Sequence, residues 1–136
     1  MSTTKSCSIN IKKLNKFLLD LDNEYDINSG ACALIASIIA KYLENNDIKY
    51  RTKVYYYEDN YEYAWHYSLV VNNIEINPST YEYQEWECEI TRIEDNWDSN
   101  ELLEKYNSII DDSNYWKCNN EKKVINLLAN FLSNEI

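Results

Sequence analysis

The chain has 136 residues, a length that fits one domain with one hydrophobic core, and we expect residues 1–136 to form a single domain. Hydrophobic residues make up 45% and charged residues 26%, as in ordinary globular proteins, which argues against intrinsic disorder. The 23 acidic residues outnumber the 13 basic ones, giving a net charge of −10. A field of that sign repels phosphate backbones, so direct binding of nucleic acid is not expected.

The sequence shows no sign of secretion or membrane insertion. Its first residues contain no apolar stretch, so no signal peptide is recognisable, and the longest nearly apolar run, Ala31 to Ala40, is too short to span a bilayer. The four cysteines stand far apart and only one histidine is present, a poor set of zinc ligands. We therefore expect a cytoplasmic protein with reduced thiols and with no metal, cofactor or membrane contact. The cysteines other than Cys32 are interpreted as buried thiols, at Cys7, Cys88 and Cys118.

The first half of the chain predicts two helices and then a strand. Apolar residues at helical spacing predict an amphipathic helix from about Ile9 to about Leu21. A polar stretch follows and ends at Gly30, the only glycine, and behind it a broadly apolar helix is predicted from about 31 to 44. Residues 48–57 are rich in β-branched and aromatic side chains and predict a strand, with a polar turn at 58–61.

The second half predicts the rest of a sheet and a helical C-terminal part. Strands are expected over 64–71, 74–77 and 86–93, and helices over 100–111 and 121–134, with Trp97 and Trp116 anchoring this part to the core. Helices, then a meander of strands, then helices predict an α+β fold with a small antiparallel sheet. The Tyr-rich stretch from Tyr55 to Tyr63 is either a solvated hairpin tip or one wall of a groove for cationic groups, because aromatic faces and carboxylates both attract cations.

Cys32 is the candidate nucleophile. A thiol is a good nucleophile only as a thiolate, and a helix N-terminus and a nearby imidazolium both lower its pKa. Cys32 follows Gly30 and Ala31 at the predicted start of the apolar helix. The free amides there favour the thiolate and can hold the oxyanion of an acyl intermediate, beginning with the amide of Cys32 itself.

His66 and Asn77 complete a candidate triad. His66 is the only imidazole that could act as a base, and it lies in a predicted strand. Asparagine tolerates positive φ, so Asn72 and Asn73 predict a two-residue hairpin turn. In that register His66 and Asn77 are diagonal neighbours on one face, roughly 7–8 Å apart between backbones. Asn77 could therefore accept from the imidazole N–H and orient the ring towards Cys32.

These residues resemble the transglutaminase-like core and, with asparagine in third place, papain-like cysteine proteases. The matching segments are Gly30-Ala31-Cys32, His66-Tyr67-Ser68-Leu69-Val70-Val71 and Ile76-Asn77-Pro78-Ser79-Thr80, within roughly residues 28–80. The resemblance implies a Cys-bearing helix packed on an antiparallel sheet that carries the other two residues. It also implies cleavage or transfer of acyl groups at amide bonds without a cofactor.

The sequence thus leads to a small cysteine hydrolase or acyltransferase that acts on an amide or isopeptide bond of a protein or peptide, with Cys32, His66 and Asn77 as catalytic residues. Whether water or an amine accepts the acyl group is left open, as is the oligomeric state. The alternative is an inactive acidic binding or inhibitor protein on the same fold, including a mimic of nucleic acid. A third interpretation is a structural domain with a chance triad, in which Cys32 is no more reactive than the other cysteines.

Overall fold

The computed structural model describes residues 9–27, 30–57, 60–76, 90–94 and 97–135, and these residues form an α+β arrangement. Within them, an antiparallel sheet of four strands has the order β3-β2-β1-β4. The α+β class and the small antiparallel sheet are as predicted. The elements in chain order are α1 Ile11–Tyr25, α2 Cys32–Asn45, β1 Arg51–Tyr57, β2 Asn60–Val71, β3 Ile74–Ile76, β4 Ile90–Glu94, α3 Ser99–Ile109 and α4 Tyr115–Glu135.

The hairpin between β2 and β3 has the predicted turn and register. Asn72 and Asn73 have φ of 53° and 66°, the left-handed conformation that asparagine tolerates better than most residues. Val71 pairs with Ile74, and Leu69 pairs with Ile76. The predicted pairing of the next residues, Ser68 with Asn77, lies outside the described residues.

Side-chain alternation gives the sheet two different faces. The helical face carries apolar residues that join the main core beneath α2: Val54, Tyr56, Tyr67, Leu69 and Val71. The polar face carries the alternate residues, whose side chains contact one another: Lys53, Tyr55, His66, Ser68 and Glu75. Side chains on the helical face are therefore separated from side chains on the polar face by the thickness of the sheet.

The helix α2 is held at both of its ends. At its start, Gly30 has φ of 111°, a conformation that L-residues rarely adopt, and a Cβ at this position would lie 3.3 Å from Cδ1 of Ile110. At its end, the Glu44 carboxylate accepts from the backbone N–H of Ser99 at 3.0 Å and from its hydroxyl at 2.8 Å. The hydroxyl of Tyr50 donates to the same carboxylate at 2.5 Å. A carboxylate at the N-terminus of α3 also matches the positive end of that helix dipole.

The C-terminal helix is longer than predicted. It begins at Tyr115 rather than near residue 121, because the Asn114 side chain accepts from the backbone N–H of Lys117 at 3.0 Å and caps the extra turns. Trp116 donates its indole N–H to the carbonyl of Tyr25 at 2.5 Å, and Trp97 and Trp116 pack against the core as expected. The thiol of Cys118, however, is exposed, so the expectation that it is buried is wrong.

Boundaries also differ in the sheet. The first strand begins at Arg51 rather than at 48, and β2 begins at Asn60 rather than at 64. Register shifts at Tyr55 and Tyr56 let this longer hairpin bend. Tyr55 and Tyr56 are buried, so the start of the Tyr-rich stretch is not a solvated tip. Helices in the described part of the chain are all too short or too polar to cross a membrane.

Replacing Gly30 with alanine tests the start of α2. We expect Gly30→Ala to destabilise the fold by about 1–3 kcal/mol, because an L-residue is strained at this φ. Urea unfolding of wild type and variant measures the difference. Ile110→Val removes the Cδ1 atom that the new Cβ would meet, so the double variant separates crowding from backbone strain. A Gly30→Ala variant as stable as wild type would contradict the conformation described.

Candidate thiol site

The thiol of Cys32 lies at the N-terminus of α2, surrounded by backbone amides. The residue is 5% exposed. The backbone N–H groups of Tyr67, Ala33 and Cys32 itself lie near its sulfur and lower the pKa of the thiol, that of Tyr67 most. The N-cap residue is Ala31, which has no polar side chain to occupy the first amides of the helix. Cys32 therefore lies at the start of the helix, where the sequence places it, with N–H groups of the first turn near its sulfur.

The N–H group of Tyr67 shows where the Cys32 sulfur lies relative to the sheet. In a two-residue hairpin the residues that close the turn exchange hydrogen bonds, and hydrogen-bonded and non-bonded pairs then alternate along the ladder. Val71 closes this turn, so Val71, Leu69 and Tyr67 direct their N–H groups to the β3 side of β2. The described part of β3 ends at Ile76, opposite Leu69. Cys32 therefore meets the edge of β2 just beyond that point.

Two opposing effects act on the acidity of Cys32. Burial raises the pKa of the thiol, and the three amides lower it by a smaller amount. The balance leaves the pKa above its ordinary value. The phenol of Tyr67 lies on the helical face next to Cys32, and burial, together with the charges of Cys32 and Tyr56, raises the pKa of Tyr67 to about 12. By itself, this environment keeps the thiol protonated at neutral pH.

His66 is the residue directly before Tyr67 on β2, and its side chain is buried on the polar face. It is 0% exposed. Its ring contacts the ring of its cross-strand partner, Tyr55, in an edge-to-face arrangement with a centroid distance of 5.2 Å. Because neighbouring residues of a strand point to opposite faces, the imidazole starts from the face opposite the one that α2 covers.

The structure places Cys32 and His66 next to adjacent residues of β2 but on different faces of the sheet, and no described contact joins them. Cys32 reaches the backbone of Tyr67, one residue from His66, whereas the described ring contact of His66 is with Tyr55 on the far face. Asn77, the predicted orienting residue, lies outside the described residues. In the described part of the chain, no group of three His, Cys, Asp or Glu side chains could hold a metal ion.

The polar face holds a carboxylate that the sequence analysis did not select. Glu75 Oε2 accepts hydrogen bonds from the hydroxyls of Tyr55, at 2.6 Å, and Ser68. Lys53 Nζ lies 3.4 Å from the other oxygen, Oε1. Burial raises the pKa of Glu75, but the two hydroxyls and the Lys53 ammonium outweigh it and hold the pKa below its usual value. Glu75 is therefore ionised at neutral pH.

Glu75 could have been found from the sequence. In the predicted hairpin it pairs with Val70, two steps of two residues along the strand from His66, so residue parity alone places both side chains on one face. The contribution of Tyr67 could not be found that way. Its part in the site is a backbone amide, which every residue except proline has, and only the docking of α2 selects it.

Comparison of the chain with models of protein families, with curated proteins and with solved structures finds no match. The site is therefore interpreted from its own residues.

The depressed pKa of Glu75 predicts a pH-dependent contribution to stability. A carboxylate whose pKa is lower in the folded state stabilises the fold above its unfolded pKa, and this contribution is lost as the pH falls through the folded pKa. We expect Glu75→Gln to cost about 1–3 kcal/mol at neutral pH. The difference from wild type should shrink below about pH 4. Urea unfolding at neutral pH and below about pH 4 measures it, with Glu104→Gln, at an exposed position beyond the first turn of α3, as the control. A difference that does not change with pH would contradict the arrangement.

Proposed function

We propose that this protein is a cofactor-free cysteine hydrolase or acyltransferase of the papain-like or transglutaminase-like type, acting on an amide or isopeptide bond. Cys32 is the nucleophile and His66 the general base, and Asn77 orients the imidazole. The observation that carries the proposal is the placement of the Cys32 sulfur among three backbone amides, one of which belongs to the residue after the only histidine of the chain.

The amides support this chemistry in two ways. Before reaction they point at the sulfur and favour its ionised form. When the Cys32 thiolate attacks a carbonyl carbon, the C–S bond forms and negative charge moves to the carbonyl oxygen, which needs donors of the same kind nearby. The amide of Cys32 itself is the first such donor. No metal ion is required for either step.

The proposed reaction has two stages, acylation and then deacylation of Cys32. His66 takes the proton of the Cys32 thiol and the thiolate adds to the carbonyl. The tetrahedral intermediate collapses, the C–N bond breaks, and the imidazolium gives its proton to the leaving amine, which leaves a thioester on Cys32. Water or a second amine then attacks the thioester while His66 takes its proton, the C–S bond breaks to release a carboxylic acid or a new amide, and His66 returns the proton to the Cys32 thiolate. Water makes the enzyme a hydrolase and an amine makes it a transferase.

This pairing depends on the edge position of the sulfur, because the His66 ring lies on the polar face and packs against Tyr55. A sulfur beneath the middle of the helical face would be screened from the imidazole by the whole sheet. A sulfur beside the Tyr67 amide lies at the edge of the one strand that carries His66. The imidazole would have to leave its contact with Tyr55 and pass around that strand edge, and a contact between its ring and the sulfur is the geometric requirement of the proposal.

Charge narrows the substrate class within the same proposal. With 23 acidic and 13 basic residues, the protein attracts cationic partners over distances near the Debye length. Proteins or peptides with lysine-rich or amine-bearing segments are the preferred substrates. The cytoplasm, where thiols stay reduced, is the compartment in which Cys32 would remain active.

The pH dependence of alkylation tests the proposal. In the wild type, iodoacetamide should label Cys32 well below about pH 8, because an imidazolium at His66 lowers the thiol pKa. In His66→Ala only burial and the amides remain, so labelling should shift to higher pH, by about tenfold in rate for each unit of pKa. Mass spectrometry of the folded protein reports each cysteine separately, and the exposed Cys118 is the internal control.

A Cys32 thiol that labels slowly and identically in wild type and His66→Ala would overturn the catalytic assignment. If the pair is active, cleavage of peptide amides with and without an added primary amine separates hydrolysis from transfer. Cys32→Ser should abolish either activity while the protein stays folded, at a cost of about 1–3 kcal/mol because a smaller and more polar hydroxyl replaces a buried thiol, and urea unfolding measures that cost.

A second candidate is an inactive binding protein on the same fold. The burial of both Cys32, at 5% exposed, and His66, at 0%, favours it, because a working site must admit a substrate. The net charge of −10 suits a basic protein partner or competition with nucleic acid for one. Cys32→Ser discriminates the two functions, since a binding protein keeps its partner affinity in this variant and an enzyme loses its activity.

A further inference from the structure

A pocket of about 550 Å³ lies between the first half of α1 and the end of α4. Its apolar part is formed by the rings of Phe17 and Phe131, which stack with 4.0 Å between their centroids and 10° between their planes. Both residues are half-buried, so part of each ring faces the pocket. The rest of the lining of this α1–α4 pocket is polar or charged: Asn10, Lys12, Lys13, Lys16 and Asp20. A volume of this size is typical of pockets that hold small organic molecules.

The charge at the α1–α4 pocket is opposite in sign to the charge of the whole protein. Three lysines and one aspartate line it, in a chain whose net charge is −10. The three lysines are exposed, and Lys16 Nζ lies 3.7 Å from a carboxylate oxygen of Asp20 on the solvent side of α1. Aromatic rings beside an excess of ammonium groups suit a ligand with an apolar body and a negative group at one end.

The stability of α1 does not account for these lysines. A helix carries partial positive charge at its N-terminus and partial negative charge at its C-terminus. Lys12 and Lys13 lie in the first turn of α1, which has no acidic residue. Asp22 and Glu24 lie in the last turn, which has no basic residue. Both ends therefore oppose the helix dipole, and a local arrangement that works against stability is expected at functional sites.

Acidic residues on the same helix limit the size of the ligand. Lys12 and Lys16 are about 6 Å apart along the helix axis, at 1.5 Å per residue. Asp20 follows one turn later, and Asp22 lies beyond it. A long polyanion such as nucleic acid would extend from the lysines onto these carboxylates, and the net charge of the protein would repel it. A small molecule with a single carboxylate can stay beside the lysines.

We propose that the α1–α4 pocket binds a small amphiphilic anion, an aryl or alkyl carboxylate. Its apolar body packs against Phe17 and Phe131, and its carboxylate pairs with the three lysines. Burial of the apolar body supplies affinity, and the lysines select the sign of the charge. This inference uses no residue of the thiol site and does not depend on the function proposed for Cys32.

A pair of ligands that differ in charge tests the proposal on the wild-type protein. The probe is phenylbutyrate, and the controls are phenylbutylamine, which carries an ammonium in place of the carboxylate, and acetate, which lacks the apolar body. Backbone amide NMR spectra are recorded during each titration. We expect phenylbutyrate to shift the signals of residues 12–17 and of Phe131, with a dissociation constant of roughly 1 mM for a ligand of this size. The two controls should leave these signals in place.

Charge-reversal variants provide the matched test on the protein. The double variant Lys12→Glu, Lys13→Glu reverses two adjacent exposed charges at the pocket, and Lys122→Glu, Lys123→Glu reverses two adjacent exposed charges of α4 that do not line it. We expect the first to weaken phenylbutyrate binding by about tenfold, because attraction becomes repulsion, and the second by less than about twofold. The urea midpoint of the first variant should equal or exceed that of wild type, because acidic side chains match the N-terminus of α1.

Three outcomes would overturn the proposal. The absence of shifts at residues 12–17 with phenylbutyrate would remove the site itself. Equal shifts there with phenylbutylamine would remove the preference for an anion. Equal loss of affinity in the two double variants would show that the net charge of the protein acts and the lysines at the pocket do not. The comparison of ligands needs only the wild type, so it decides the question even where a variant does not fold.

Discussion

The contact between the first turn of α2 and the edge of β2 is the constraint on which the rest of this structure depends. The first N–H groups of a helix have no acceptor within the helix, and in α2 two of them lie near the sulfur of Cys32. The Tyr67 amide completes the set from the sheet side. Gly30 allows the chain to enter α2 at this place, because it adopts a positive φ and has no Cβ to crowd the side chain of Ile110. Any change that moves the start of α2 also moves the Cys32 sulfur relative to the edge of β2.

The two faces of the sheet divide the tasks of the molecule. The helical face is apolar and supplies the core, and burial there costs the Cys32 thiol its acidity. On the polar face, hydrogen-bond donors and the Lys53 ammonium keep the Glu75 carboxylate ionised. The His66 ring packs against Tyr55 on the same face. The thiol and the imidazole thus lie on different faces of the sheet, one beside the apolar core and the other on the face that carries an ionised carboxylate.

The sequence predicted the parts of this structure that follow from periodicity and turn chemistry. The apolar stripe of α2 and the paired left-handed asparagines, Asn72 and Asn73, determine the helix, the hairpin and its register. Prediction from the sequence failed where a tertiary contact determines where an element begins. The start of α4 depends on the Asn114 cap and on Trp116 reaching Tyr25, and no periodic apolar pattern marks those turns. The candidate site divides in the same way, because residue parity locates the face of His66, whereas the amides around the sulfur depend on how a helix docks.

The hairpin turn has a consequence for how this protein can change during evolution. Side chains alternate along a strand, so the face on which each residue of β3 lies depends on the turn containing two residues and no more. Insertion of a single residue beside Asn72 would turn Glu75 into the apolar core and expel Ile76 to the polar side. Lineages that retain the fold should therefore vary this turn by substitution among asparagine, aspartate and glycine, and should accept changes in length in other loops.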